Sequence, residues 1–162
     1  MTTLSELFFD ESVILLDLDS KNKEEVLTEM SQNLYNKGLV KESYCAAVIA
    51  RENEFATGLP TKTVSVAIPH TDVEHVNQKT ISIAVLKNPV SFGVMGDPDA
   101  ETPVKVVFLL AMDQAHSQLS LLQNLMQIFQ NEETLTKLTE VDKATIKTLI
   151  EQNLIFSFEG GE

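Results

Sequence analysis

VKVVFLLA, residues Val104 to Ala111, is nearly continuous in apolar residues. That is the pattern of a central strand buried on both faces, because alternation is lost when neither face meets water. Upstream, VSVAI (Val64 to Ile68) alternates and is rich in β-branched residues, so it reads as a second strand. Pro69 ends it, since proline cannot donate to a ladder. Thr80 to Leu86 reads as a further strand, SVILLDLD (Ser12 to Asp19) as a first strand or extended lead-in, and LIFSF (Leu154 to Phe158) as an edge strand.

Helical patterns lie between the strands. Asn22 and Glu25 make a capping-box-like start, Val26, Leu27, Met30 and Leu34 follow at helical spacing, and Gly38 is a C-terminal stop. A second helix is expected over Ser43 to Phe55. A third spans Ser117 to Gln130, with Leu121, Leu122, Leu125, Ile128 and Phe129 on one broad face. Glu132 to Leu138 and Lys143 to Gln152 read as two shorter helices. TGLPTKT (Thr57 to Thr63), Asn88-Pro89 and GDPDAETP (Gly96 to Pro103) read as turns or loops. Strands interleaved with helices predict an α/β fold. We expect a single domain over residues 1–162, with a mostly parallel mixed β-sheet of about five strands and helices on both faces.

The chain has 24 acidic residues against 12 lysines and arginines, a formal net charge of −12. Such a surface repels nucleic acid and anionic lipid at long range, so no nucleic-acid partner is expected. It suits a basic protein partner, and it also serves plain solubility. The lone Cys45 cannot form an internal disulfide, the N-terminus carries no signal-type pattern, and no apolar run approaches a membrane span. A cytoplasmic protein is expected.

Common catalytic signatures are missing: there is no phosphate loop, dinucleotide fingerprint, G-x-S-x-G elbow or H-E-x-x-H. Attention therefore falls on the three histidines, His70, His75 and His116. His70 follows Pro69 at the carboxyl end of a strand, where sites gather in open α/β sheets. An imidazole with an ordinary pKa of about 6.5 is largely neutral near pH 7 and hence nucleophilic; the alternative is an ordinary surface or cap histidine. Arg51 falls on the helical face of Tyr44, Val48 and Phe55, so its charge must reach a partner or an opening. Its fork suits phosphate oxygens, while a salt bridge to Glu52 or Glu54 is the plainer role. His116 precedes the long apolar helix, where free backbone N–H groups favour an anion. His70, Asp72 and His75 allow a metal-dependent hydrolase on paper, but their spacing matches no standard zinc pattern, so neither metal nor cofactor is expected. Cys45, among Ala46, Ala47 and Val48, reads as core rather than nucleophile.

ARENEFATGLP (Ala50 to Pro60) followed by VAIPHTD (Val66 to Asp72) resembles the enzyme IIA family of the bacterial sugar phosphotransferase system, mannitol/fructose type. AHSQLSLLQNLMQIF (Ala115 to Phe129) looks like that family's second histidine region. The resemblance implies a phosphoryl carrier. His70 would take the group from the phosphohistidine of HPr and pass it to the cysteine of enzyme IIB, which serves a membrane enzyme IIC. Arg51 and His116 would steady the phosphoryl group. IPHTDVEHV (Ile68 to Val76) resembles the galactitol-type subgroup, which implies galactitol uptake. Thr71 stands where the family often has a small residue, and the subgroup does not always keep a histidine at the place of His116. That makes His75 its rival and Thr71 and Asp72 accessory candidates. A regulatory module of the same fold, whose phosphorylation controls a protein partner, is the alternative.

Overall fold

Val26, Leu27, Met30 and Leu34 do line one side of a helix. In the computed structural model, which describes residues 7–61, 63–113 and 115–160 (115–118 and 153–160 by backbone alone), helix α1 spans Lys23–Asn36. Asn22 Oδ1 accepts from the Glu25 N–H at 2.9 Å and caps its start. Its end is a Schellman motif. The Gly38 N–H donates to the Tyr35 carbonyl and the Leu39 N–H to the Leu34 carbonyl, with Gly38 at φ +76°. Helix α2 follows at Tyr44–Glu54.

The sheet contains β1 (Ile14–Leu18), β2 (Gly58–Leu59), β3 (Ser65–Ala67), β4 (Thr80–Val94) and β5 (Asp97–Ala111). It is mixed. β1 runs parallel to β4, β3 parallel to β5, and β2 touches β4 in parallel, while β2–β3 and β4–β5 are antiparallel. The helices α3 (Ala115–Phe129), α4 (Glu132–Leu138) and α5 (Lys143–Gly160) complete the chain.

Alternation sorts the strands onto two cores. Ala84, Leu86, Val107, Leu109 and Ala111 face α1 and α2. Ile81, Ile83, Val85, Val106, Phe108 and Leu110 face α3, α4 and α5. Each such aliphatic side chain contributes about 1.5–3 kcal/mol relative to an exposed one. Phe108 meets Phe129 of α3 at 5.0 Å between ring centroids, tilted by 54°. The polar residues on the α1–α2 face are bonded: Ser82 donates to the Val13 carbonyl and Thr80 to the Phe8 carbonyl, at 2.8 and 2.7 Å.

Three expectations need correction. LIFSF (Leu154 to Phe158) is not an edge strand; it continues α5. No glycine or proline interrupts the chain from Lys143 to Glu159, so helix propagation costs less than a new nucleus. Asn88-Pro89 and Gly96 to Pro103 are not loops but parts of a long hairpin, closed by a turn at Met95 and Gly96. All three prolines, Pro89, Pro98 and Pro103, are exposed, and the register shift between Val85 and Val90 absorbs Pro89. Finally, the TGLPTKT stretch holds the two-residue strand β2.

Gly58 sits where a neighbouring backbone passes close: a Cβ there would collide with the Gly93 carbonyl oxygen of β4. Gly58→Ala is therefore expected to lower stability by about 1–3 kcal/mol, as overpacking does. Urea unfolding measures this, and an unchanged midpoint would mean that the hairpin moves aside freely.

Candidate functional site

Pro69 and His70 leave β3 at the end where β5 finishes. The Leu110 N–H donates to the Pro69 carbonyl at 3.0 Å, and the buried Tyr44 hydroxyl donates to the Leu110 carbonyl at 2.7 Å. Helix α2 is thereby tied to the strand that flanks the histidine. Tyr44 is fully enclosed, and burial holds its hydroxyl far above the usual range, so it stays a neutral donor.

His70 is half-buried, and its Nδ1 lies 2.8 Å from the Ile68 carbonyl oxygen. A carbonyl only accepts, so the proton sits on Nδ1 and Nε2 keeps its lone pair. Burial lowers the pKa of His70, the bond to Ile68 raises it, and the Arg51 charge lowers it further. The balance is downward, and the imidazole is neutral near pH 7.

Arg51 comes from the last turn of α2. Its Cζ lies 4.8 Å from the centre of the Phe55 ring, and Nη1 lies 4.0 Å from Asp72 Oδ1. The Arg51 and Asp72 side chains are 41% and 70% exposed, so this pair is weak. The partner is Asp72, not Glu52 or Glu54. The helix face also differs from expectation. The buried stripe of α2 is Tyr44, Val48 and Glu52, while Phe55 is 56% exposed. The charge on the apolar stripe is that of Glu52.

The sequence reading missed Glu52 and Thr57 as site residues. Glu52 is 2% exposed, and its two carboxylate oxygens accept from the Thr57 N–H and hydroxyl at 2.8 and 2.7 Å. Thr57 Oγ1 in turn accepts from the Ile68 N–H at 3.1 Å. The signal was available: Glu52 lies four residues after Val48 and continues its row.

Thr71 is buried and follows His70 directly. His75 closes a short 3-10 turn, Val73–His75, and its Nδ1 lies 2.8 Å from Ser43 Oγ at the start of α2. Ser43 precedes Arg51 by eight residues, about 12 Å along the helix. The structure thus brings together His70, Arg51 and Asp72, and places His75 at the other end of α2. The backbone of His116 lies in the first turn of α3, which begins soon after β5 ends beside Pro69; its side chain lies outside the described residues. Cys45 is half-buried rather than core, with Sγ 3.9 Å from Thr28 Oγ1 of α1. Among the described residues, no three His, Cys, Asp or Glu side chains gather as a metal ion would require.

A neutral imidazole with a free Nε2, beside a guanidinium held only loosely, can accept an anionic electrophile. Residues 7–153 match the family described as phosphoenolpyruvate-dependent sugar phosphotransferase system, EIIA 2. The chain belongs to this family. This EIIA chain is similar to the PTS system galactitol-specific EIIA component of Escherichia coli K12, at 28% identity over 156 residues that cover 96% of this chain and 100% of that protein. It is also similar to the transcriptional regulator ManR of Bacillus subtilis 168, at 27% identity over 100 residues, 62% of this chain and 14% of the regulator. Its fold matches that of enzyme IIA in a solved complex of mannitol enzyme IIA with phosphorylated enzyme IIB from Escherichia coli. The TM-score is 0.68 at 21% identity, covering 91% of this chain and 97% of that one. No helix of the described residues in this EIIA chain is long and apolar enough to cross a membrane.

His70 is expected to titrate below the ordinary value of about 6.5. Arg51→Ala should move its pKa upward, because a repelling charge is gone while burial remains. Proton NMR titration checks both, and a His70 pKa at or above the ordinary value would contradict this account of the site.

Proposed function

We propose that His70 accepts a phosphoryl group from phospho-HPr and passes it to the cysteine of a sugar-specific enzyme IIB. The observation that carries this reading is the Nδ1 bond to the Ile68 carbonyl, which leaves Nε2 as the nucleophile. The Nε2 lone pair attacks phosphorus, the N–P bond of phospho-HPr breaks, and its electron pair returns to the HPr imidazole. In the second step the enzyme IIB thiolate attacks, and the N–P pair returns to Nε2. Bonds and charges balance at each step, and the main demands are positioning and charge stabilisation.

Arg51 supplies the positive charge for the phosphoryl oxygens. Asp72 holds the guanidinium weakly in the free protein, and a phosphoryl dianion outcompetes a single exposed carboxylate. His116, at the start of α3, is the proposed second helper. The seating of His75 against Ser43 favours His116 over it. The whole exchange would take place in the cytoplasm, next to a membrane enzyme IIC that alone touches the sugar.

Incubation with enzyme I, HPr and phosphoenolpyruvate should add one phosphoryl group to the intact mass. The adduct should be acid-labile and stable to mild alkali, with phosphorus on Nε2. His70→Ala should take up none; uptake by that variant would sink the assignment.

Arg51→Lys keeps the charge and loses the fork, so it should fold normally and transfer roughly 10–100-fold more slowly. Rates compared at matched melting temperature decide this, and equal rates would reduce Arg51 to a surface ion pair.

The similarity to the galactitol-specific component supports galactitol as the transported sugar. Competing transfer to galactitol, mannitol and fructose enzyme IIB proteins tests it, and faster transfer to either of the latter would overturn it. The similarity to ManR supports a second reading, a regulatory module. Failure to phosphorylate any enzyme IIB, with phosphorylation-dependent binding of another protein, would favour that reading.

A further inference from the structure

Glu52 brings a carboxylate to a 2% exposed position, and both of its oxygens are spent on one residue, Thr57. Thr57 is itself 4% exposed. Neither side chain reaches the solvent or the imidazole, so neither fits the part of a reacting group. Yet their bonds run without a break to His70. The Glu52 carboxylate accepts from the Thr57 hydroxyl, Thr57 Oγ1 accepts from the Ile68 N–H, and the Ile68 carbonyl accepts from His70 Nδ1.

We propose that Glu52 and Thr57 are positioning residues for His70, acting through Ile68 to fix the tautomer and aim of the imidazole. The proposal rests on the reading of His70 as the phosphoryl acceptor. Its logic is donor and acceptor accounting. A threonine hydroxyl has one proton. The Ile68 N–H needs an acceptor at Oγ1, so the hydroxyl proton must point elsewhere. An ionised carboxylate, which only accepts, draws that proton to itself and leaves an Oγ1 lone pair for Ile68. The Thr57 N–H on the second carboxylate oxygen locks the orientation of Glu52. Burial raises the Glu52 pKa and the balance is upward; the two bonds from Thr57 and the charge of Lys23 oppose that rise, so it is the bonding geometry that favours the charged form.

Residue 68 is then held at its N–H by Thr57, and residue 69 at its carbonyl by Leu110. The Ile68 carbonyl is left as a fixed acceptor for Nδ1. Without the hold at Thr57, the Ile68 N–H is buried and unpaired, residue 68 can rotate, and the carbonyl no longer selects the tautomer. Imidazoles in the other tautomer would then present Nε2 as N–H and be unable to attack. The same arrangement links the reacting histidine to α2, since Glu52 follows Arg51 directly in the chain.

The test uses the full-length, unphosphorylated chain labelled with 15N-histidine. Long-range proton–nitrogen correlation spectra report the His70 tautomer, and stopped transfer assays give kcat and KM for phospho-HPr. The wild type should show the Nδ1–H form. Thr57→Val keeps the shape and removes the hydroxyl. It should mix the tautomers and lower kcat roughly 10–100-fold, the scale of a misplaced reacting group. KM should stay within about twofold, because the donor protein never meets Thr57. Thr57→Ser should restore both readouts. Glu52→Gln must turn its NH2 toward either the Thr57 N–H or the Thr57 hydroxyl, so one of these two donors loses its acceptor, and it should shift the tautomer in the same direction as Thr57→Val. A wild-type tautomer and kcat in Glu52→Gln would overturn the proposal even if Thr57→Val does not fold. So would a rise in KM in place of a fall in kcat, or a failure of Thr57→Ser to restore the tautomer. Phosphorylation of His70→Ala would overturn the acceptor reading instead, and the tautomer spectra separate the two failures.

Discussion

Thr80–Leu86 of β4 and Val106–Ala111 of β5 are buried on both faces and paired in register for most of that length. The rest of the molecule is arranged around covering this ladder. Apolar side chains leave it in both directions, so one helical layer cannot cover it, and the chain supplies two. The few polar side chains on it, Thr80 and Ser82, find carbonyls in the N-terminal segment, which ties that segment to the sheet as well. The strands β3 and β5 run parallel, so their carboxyl ends emerge together. The histidine loop after β3 and the lead into α3 after β5 therefore lie at one edge of the sheet. This placement comes from strand direction before any functional side chain is considered.

On the proposed reading of His70, one positive charge at that edge acts twice. Before transfer, Arg51 disfavours the imidazolium form of His70 and so, with burial, keeps the nucleophile neutral. In the proposed transfer the same charge would then face the added phosphoryl group and favour it. Burial alone also lowers a histidine pKa, but it offers nothing to the product. A nearby lysine would supply charge without the planar fork that matches phosphoryl oxygens. The weak pair with Asp72 is consistent with both tasks, since a tightly bridged guanidinium would exert less field on His70 and be harder to redirect.

Much of this was legible in the sequence. Val104 to Ala111 announced the central strand, the Asn22 cap and Gly38 stop bounded α1, and Pro69 placed His70 on a loop at a strand end. The misses have physical causes. LIFSF is a short apolar run, and such runs suit helix and strand alike; only the continuing backbone bonds of α5 decide. Pro89 and Pro103 read as breakers because a proline removes a ladder donor, but the exposed part of the hairpin tolerates them, Pro89 at a register shift. Glu52 was read only as an ion-pair partner for Arg51, because a carboxylate ordinarily lies outside. Nothing local in the sequence announces that Thr57, beyond the helix end, will receive it.

The neighbouring pair Arg51 and Glu52 explains why opposite charges one residue apart do not cancel. Consecutive helical residues point about 100° apart, so when Glu52 faces the core Arg51 faces outward, toward Asp72 and Phe55. Both Glu52 oxygens accept from Thr57, while the guanidinium lies against Asp72 and Phe55. The carboxylate stabilises the loop that holds His70, and the guanidinium stays available to an anion. Reversing the two residues would keep the composition and net charge of the helix. It would also place a guanidinium, which cannot accept a hydrogen bond, against the Thr57 N–H, and a carboxylate beside the proposed phosphoryl site. The order of the two residues, more than their presence, is what the helix contributes to the site.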